Sequence, residues 1–226
     1  MKFIYFVYPL SFDSLEHLVK QTFIGKSPSR LIHNFFLRKL RIKGLTIDIG
    51  SKKYNSYLNF IKKKNVIFFF ADKKKKKLKN YFDLDLEKKL VLKKKFDTVI
   101  LFNVLEHIEN YKNLLVEIYK LLNKNGTLQL YTPFMHRYHQ DPYDIFRPTH
   151  YYLGKILKKI GFRADIYLIG VGPLVTVLEI INQYLKFKFI KIIIFIFFIF
   201  IDKIILLLSK DSKTYYLGVH CICKKN

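Results

Sequence analysis

Cysteine is almost missing from this chain of 226 residues: Cys221 and Cys223 stand alone as a C-x-C near its end. No second ligand pair accompanies them, so no zinc site, and no metal, is expected. On an alternating strand both would face one side, as two free thiols of a cytosolic protein. Arginine is scarce as well, limited to Arg30, Arg38, Arg41, Arg137, Arg147 and Arg163. Lysine therefore carries the formal net charge of +24, in runs such as KKKKK at 73–77. Nucleic-acid grooves favour the bidentate fork of arginine, so the excess reads as a chain-wide lysine bias on a solvated surface. The start, MKFIYFVYPLSFDSLEHL, lacks a small-residue cleavage site and soon turns acidic, which argues against a signal peptide. Neither G-x-G-x-x-G nor G-x-x-x-x-G-K-[ST] occurs, and there is no internal repeat.

Half of the residues are hydrophobic and 17% are aromatic, enough to bury a substantial core. A helix-prone segment over 1–42 leads into GLTIDIGSKKY, a short β-branched run that ends at a glycine. NVIFFFAD at 65–72 predicts a buried strand closed by an acid, YFDLDL at 81–86 a weaker one, and FDTVILFNV at 96–104 a strong one. A helix is predicted from Leu105 to the Asn125-Gly126 stop, then a strand over 126–133. HYYLGKILKKIGF and RADIYLIG add a helix and a strand. Alternating strands and helices imply a parallel α/β sheet with ligands at the carboxyl ends of its strands.

The apolar stretch over 171–210 is different. Its uncharged run, Ile192 to Ile201, makes only about 15 Å of helix, against a bilayer core of about 30 Å. Asp202 and Lys203 would be costly inside a span. The expectation is a monotopic helix on the inner face of an anionic membrane, with Lys186, Lys188, Lys191, Lys203 and Lys210 reaching the headgroups. The alternative is a helix that covers the sheet or a partner subunit. TYYLGVHCICKK, within 211–226, then returns to the sheet as its last strand.

The chemistry-bearing positions lie at strand ends. Gly50 permits close backbone approach to a ligand, and Asp72 stands where an acid takes ribose hydroxyls, or simply opens a lysine loop. Asp85, or Asp83 in its place, follows the third strand. From the fourth strand on, FDTVILFNVLEHIENYKNLLVEIYKLLNKNGTLQLYTPF resembles the class I S-adenosylmethionine-dependent methyltransferases, closest to the branch with a V-L-E-H turn. The resemblance covers about 43–165 and the last strand, which puts the core domain at 43–170. It implies a Rossmann-like, doubly wound sheet of about seven strands, the last antiparallel, and S-adenosyl-L-methionine as cofactor. Asp48, Gly50 and Ser51 would face its methionine end, Asp72 the ribose, Asp85 and Leu86 the adenine, and Asn103 the sulfonium. The family's first loop usually holds more glycine, where this chain has Lys52 and Lys53 before Tyr54. Glu106 and His107 read as first-turn helix residues, placed as much by the helix dipole as by catalysis.

One loop has no counterpart elsewhere in the chain: TPFMHRYHQDPYDIFRPTHYYL, 132–153. His139 is its best general base. Asp141 or Asp144 would orient the imidazole, and Arg147 would clamp an anionic group, unless Asp144 and Arg147 merely staple the loop. Met135 and His136 read as pocket wall. The expected function is methyl transfer to a small or lipid-linked acceptor such as a sugar, lipid or quinone-like ring. The competing readings are a nicotinamide-dependent oxidoreductase and a membrane-bound, non-catalytic binding module.

Overall fold

The computed structural model describes residues 2–51, 55–73, 79–140, 143–209 and 215–226. Lys52, Lys53, Tyr54, Asp141 and Lys210 lie outside the described residues. The run Phe96–Phe102 is buried along nearly its whole length, as a strand covered on both faces must be. It forms β5 in the middle of an eight-stranded sheet. Beside it on one side lie β2 (Arg41–Ile49), β3 (Lys62–Asp72) and β4 (Tyr81–Asp83); on the other lie β6 (Leu122–Pro133), β8 (Gly218–Lys225), β7 (Phe162–Gly170) and β1 (Lys2–Val7). Only β8 is antiparallel to its neighbours, with Cys221 opposite Leu130 on β6 and Ile166 on β7. Both thiols are free and buried. The chain winds outward from β2 through β3 to β4 and returns to β5. The switch point between β2 and β5 opens a crevice at the carboxyl ends.

The sequence reading expected about seven strands behind a helical segment over 1–42. Its first residues instead make β1, paired in parallel with β7 from Lys2–Asp165 to Val7–Gly170. The aromatic and β-branched run KFIYFV suits an edge strand, but its partner lies far along the chain. After β1 come α1 (Phe12–Phe23), opened by a Ser11–Ser14 capping box, and α2 (Pro28–Leu37), capped by Ser27 with Pro28 in its first turn. The helix predicted from Leu105 begins later, as α3 (Tyr111–Leu121), behind a separate 3-10 turn over Leu105–His107. α4 (His150–Ile160) ends at Gly161, whose φ of 112° suits a residue without Cβ.

Helices α3 and α4 cover one face of the sheet, while α1, α2, α5 (Pro173–Ile181) and α6 (Lys188–Leu208) cover the other. In α6 the residues Ile192, Phe195, Ile199 and Asp202 form an inward stripe at helical spacing. The inner face of α6 thus covers the sheet, the alternative drawn from the sequence. Asp202, the acid that disfavoured a span, is fully buried and accepts the N–H groups of Leu174 and Val175, each at 2.9 Å. It caps the amino end of α5. Among the described residues no helix is long and apolar enough to cross a membrane.

Asp202→Ala would leave two buried N–H donors at the start of α5 without an acceptor. The expected loss is about 2 kcal/mol of stability, read as a lower urea midpoint. An unchanged midpoint would show that the cap is dispensable.

Candidate functional site

Four strands, β2, β3, β5 and β6, end at the crevice, and each delivers chemistry there. At the end of β2, Asp48 is fully buried. Its Oδ2 accepts from the Tyr57 hydroxyl at 2.6 Å, whereas its Oδ1 is buried without a hydrogen-bond partner. Burial pushes this carboxyl up to about 7, against the opposing hydrogen bonds of Tyr57 and Ser51. Gly50 follows with φ +79°, and a Cβ there would lie 2.3 Å from Val104 Cγ2. Both the backbone conformation and the close approach demand glycine. Ser51 Oγ accepts from Asn55 Nδ2 at 2.8 Å, which holds the loop against the crevice.

Asp72 closes β3, its carboxylate accepting the N–H of Lys73 at 2.7 Å. Asp85 lies 3.2 Å from Lys73 Nζ and accepts the Glu87 N–H at 3.1 Å. Burial is the largest single influence on Asp85 and opposes its ionisation, but the Glu87 amide with Lys73 and Lys88 together outweigh it and lower its pKa. Asn103, left-handed at φ 54°, turns the chain out of β5. Gly50, Ser51, Asp72, Asp85, Leu86 and Asn103 line one cleft of about 700 Å³, together with Val104, His107 and Tyr143. Asp48, two residues before Gly50, is buried and not part of this lining. Asp83, the alternative to Asp85, is exposed and not part of the lining.

A second cavity of about 390 Å³ shares Asn103 with the first. Its wall includes Lys26, Arg30, Arg137 and Lys191, along with His136, His139 and the buried Tyr131. The Tyr131 hydroxyl has no hydrogen-bond partner. Glu179 is the acid of this wall, and it accepts from the N–H of Ser29 (2.8 Å), the hydroxyl of Ser29 (2.9 Å) and the His136 ring (2.6 Å). Lys191, expected to reach headgroups, turns inward to this cavity. Glu179 and Lys191 come from the apolar stretch over 171–210, which the sequence predicts to lie on a membrane. Their only signal was charge interrupting a hydrophobic run.

The histidine-rich loop divides the two cavities. His139 donates its N–H to Asp144 Oδ2 at 3.0 Å, and its Nδ1 lies 3.3 Å from the same oxygen. Burial, then the neighbouring His136, lowers the His139 pKa and favours its neutral form. Arg147 forks onto both oxygens of Asp144. The anion clamp expected of Arg147 is therefore not what its fork does: it staples the loop, and Asp144 orients His139. Glu106 is fully buried, with Oε1 lacking a partner and Oε2 accepting from Thr132 at 3.4 Å. Burial raises its carboxyl to about 6. His107 Nδ1 donates to the Tyr143 carbonyl at 2.6 Å. Glu106 and His107 do lie in a helical turn, but it is the separate 3-10 turn before α3 rather than the first turn of the long helix.

Residues 25–164 match the protein family described as a methyltransferase domain. The chain belongs to that family. Its fold is that of class I S-adenosylmethionine-dependent methyltransferases, with β1 added at the edge. Among solved structures, the [4+2]-cyclase SpnF superposes with a TM-score of 0.56 at 10% identity, over 95% of this chain and 94% of its own. A phosphoethanolamine N-methyltransferase of Haemonchus contortus gives 0.52 at 15% identity, over 95% of this chain but 58% of its own length. A S-adenosylmethionine-dependent methyltransferase from Archaeoglobus fulgidus gives 0.50 at 15% identity, over 93% and 99%. Identities this low speak for the fold alone. No curated protein matches the sequence of this methyltransferase-family chain.

Proposed function

We propose that this chain transfers a methyl group from S-adenosyl-L-methionine to a small or lipid-linked acceptor that carries an anionic group. The observation that carries the reading is the pair of cavities meeting at Asn103, one lined with acids and the other with cations. The first suits the cofactor. The unpartnered Oδ1 of Asp48 offers an ammonium the acceptor atom it needs, Gly50 clears the way, and Asp72 and Asp85 present carboxylates to ribose and adenine. When bound, the cofactor supplies a methyl carbon activated by its positive sulfur. The chain's own task is to hold the acceptor in line and take up its proton. His139, kept neutral and oriented by Asp144, stands on the acceptor side of the partition. Four cations against the single carboxylate of Glu179 favour an acceptor with phosphate or carboxylate. The absence of G-x-G-x-x-G disfavours the nicotinamide reading.

Calorimetry with S-adenosylmethionine, its demethylated product and NAD tests the assignment. The first two should bind and the third should not. Asp72→Ala should weaken S-adenosylmethionine by about ten- to hundredfold, the loss of charged hydrogen bonds, while the chain stays folded. Unchanged affinity in the folded variant would reject Asp72 as the ribose carboxylate.

Affinity should also depend on pH through Asp48. Its folded carboxyl is raised to about 7, so below that pH the free protein holds a proton that an ammonium partner must displace. Binding then releases a proton, and affinity rises with pH from about 6 to 8, by at most about tenfold per unit. Calorimetry in two buffers of different ionisation enthalpy would detect that proton. A flat profile would exclude Asp48 as the ammonium's partner.

An anionic bilayer is the partner that the outer face of α6 fits. Phe189, Ile193, Phe197, Phe200 and Leu207 are all more than half exposed, and Phe12 and Phe23 extend the patch onto the adjoining α1. Exposed Lys186 and Lys188 flank it, so apolar and cationic groups share one surface. Co-sedimentation should show binding to phosphatidylglycerol vesicles and little to phosphatidylcholine. No pelleting with either would overturn the membrane reading.

A further inference from the structure

The partition between the cavities holds three groups that neither cofactor binding nor folding explains. Glu106 leaves the 3-10 turn after β5 with Oε1 fully buried and without a hydrogen-bond partner. An uncompensated carboxylate oxygen costs several kcal/mol at such a place. Neighbouring His107 directs Nε2 to within 3.9 Å of that same oxygen. The Nδ1 of His107 must carry its proton, because it is bonded to the Tyr143 carbonyl, which can only accept. In the neutral ring that tautomer leaves the lone pair on Nε2, facing Glu106. His139 approaches from the loop after β6, backed by the Asp144 carboxylate, and its ring centroid is 5.0 Å from that of His107. One ligand atom from each of Glu106, His107 and His139 lies within 4.8 Å of the others.

We propose that Glu106, His107 and His139 bind a divalent first-row cation such as Mn²⁺ or Zn²⁺, with an oxygen of the acceptor as a further ligand. Two imidazoles and one carboxylate are a donor set such ions take readily, leaving open positions for substrate. With metal–ligand bonds of about 2.1 Å the donors stand roughly 3–4 Å apart, so the three close in by about 1 Å. The outer groups are already those of a metal site, a backbone carbonyl behind one histidine and a carboxylate behind the other. Asp144, itself held by Arg147, is then a positioning residue for a ligand.

Placement gives the cation its task. His107 lines the cofactor cleft and His139 the acceptor cavity, so the ion sits where the two meet. This part rests on the methyltransferase reading. An acceptor hydroxyl bound to the ion loses its proton to solvent at neutral pH. A lone pair of its oxygen forms the bond to the methyl carbon while the carbon–sulfur bond breaks, and the electron pair of that broken bond stays on sulfur, which becomes a neutral thioether. His139 then serves as a ligand in place of a base. A cation held by these three side chains stands against the expectation, drawn from the cysteines, that no metal is needed.

The tag-free full chain, stripped with chelator and dialysed, is titrated with Mn²⁺ followed by electron paramagnetic resonance and with Zn²⁺ followed by calorimetry. One cation per chain is expected. Glu106→Gln, His107→Ala and His139→Ala should each weaken it at least about tenfold, and Asp144→Asn about ten- to hundredfold, with melting curves that show folded protein. Binding weaker than about 1 mM in the wild-type chain, or equal in all four folded variants, would overturn the metal site. Failure to bind S-adenosylmethionine in a chain that takes up the cation would instead overturn the methyltransferase reading alone.

Discussion

A carboxylate buried under an apolar helix holds the wall of the smaller cavity in place. Asp202 is fully enclosed, and an enclosed anion persists only where donors replace its water. The amino end of α5 supplies two, and Gly172 makes room, since a Cβ there would lie 2.6 Å from Asp202 Cγ. That contact locks α6 along α5 and fixes where Glu179 emerges. Glu179 repeats the device on the amino end of α2, receiving the N–H of Ser29 together with the His136 ring. Glu87 does the same for the start of α3, through the N–H groups of Glu109 and Asn110 at 2.9 and 3.0 Å. Three helix starts are thus tied by acids from other segments, and the walls of both cavities are joined through them.

The strands at the centre of the sheet were legible because doubly covered strands read as continuous apolar runs. Asp48, Gly50, Asp72 and Asn103 stood out for a related reason: each stands at the end of an apolar run, and a parallel sheet gathers its carboxyl ends, whereas Asp85 follows only the short edge strand β4. What stayed hidden needed partners that no local pattern contains. Asp202 and Glu179 looked like costs to a membrane helix, since their donors lie 27 and 150 residues away. The run KFIYFV carries an ordinary strand signal, but only the distant β7 gives it a sheet to join. The late start of α3 depends on left-handed Asn103 and on the distant Glu87.

Fold alone does not select the reaction, and the [4+2]-cyclase that superposes on this chain makes the point concretely. What distinguishes one chemistry from another is the lining of its cavities, and here two cavities meet at a partition. Here it is built from a 3-10 turn and a stapled loop, both outside regular structure but both anchored. The Glu106 carbonyl receives the Ile145 N–H at 2.8 Å, and the Asp144–Arg147 pair closes the loop beside it. Turn and loop therefore hold one another, which keeps Glu106, His107 and His139 together without help from a ligand.

In a chain with 41 basic and 17 acidic residues, a lysine at any one place says little, and the acids carry the information. Five carboxylates are buried among the described residues: Asp48, Glu106, Glu117, Glu179 and Asp202. Glu117 is met by Lys120 and the Leu90 N–H, Glu179 by Ser29 and His136, and Asp202 by the start of α5. Those three are accounted for by folding. Asp48 and Glu106 each keep one enclosed oxygen without a partner, a cost with no return in the folded chain alone. Both lie at the carboxyl edge of the sheet, one under the glycine turn and one between the cavities. An anion left short of donors at a ligand edge is a place prepared for a cation, and the two places differ in kind. Beneath Gly50 there is a single carboxylate and a cleft sized for an organic molecule, which fits an ammonium. Beside Glu106 there are two imidazoles, and no ammonium needs those; a metal ion does.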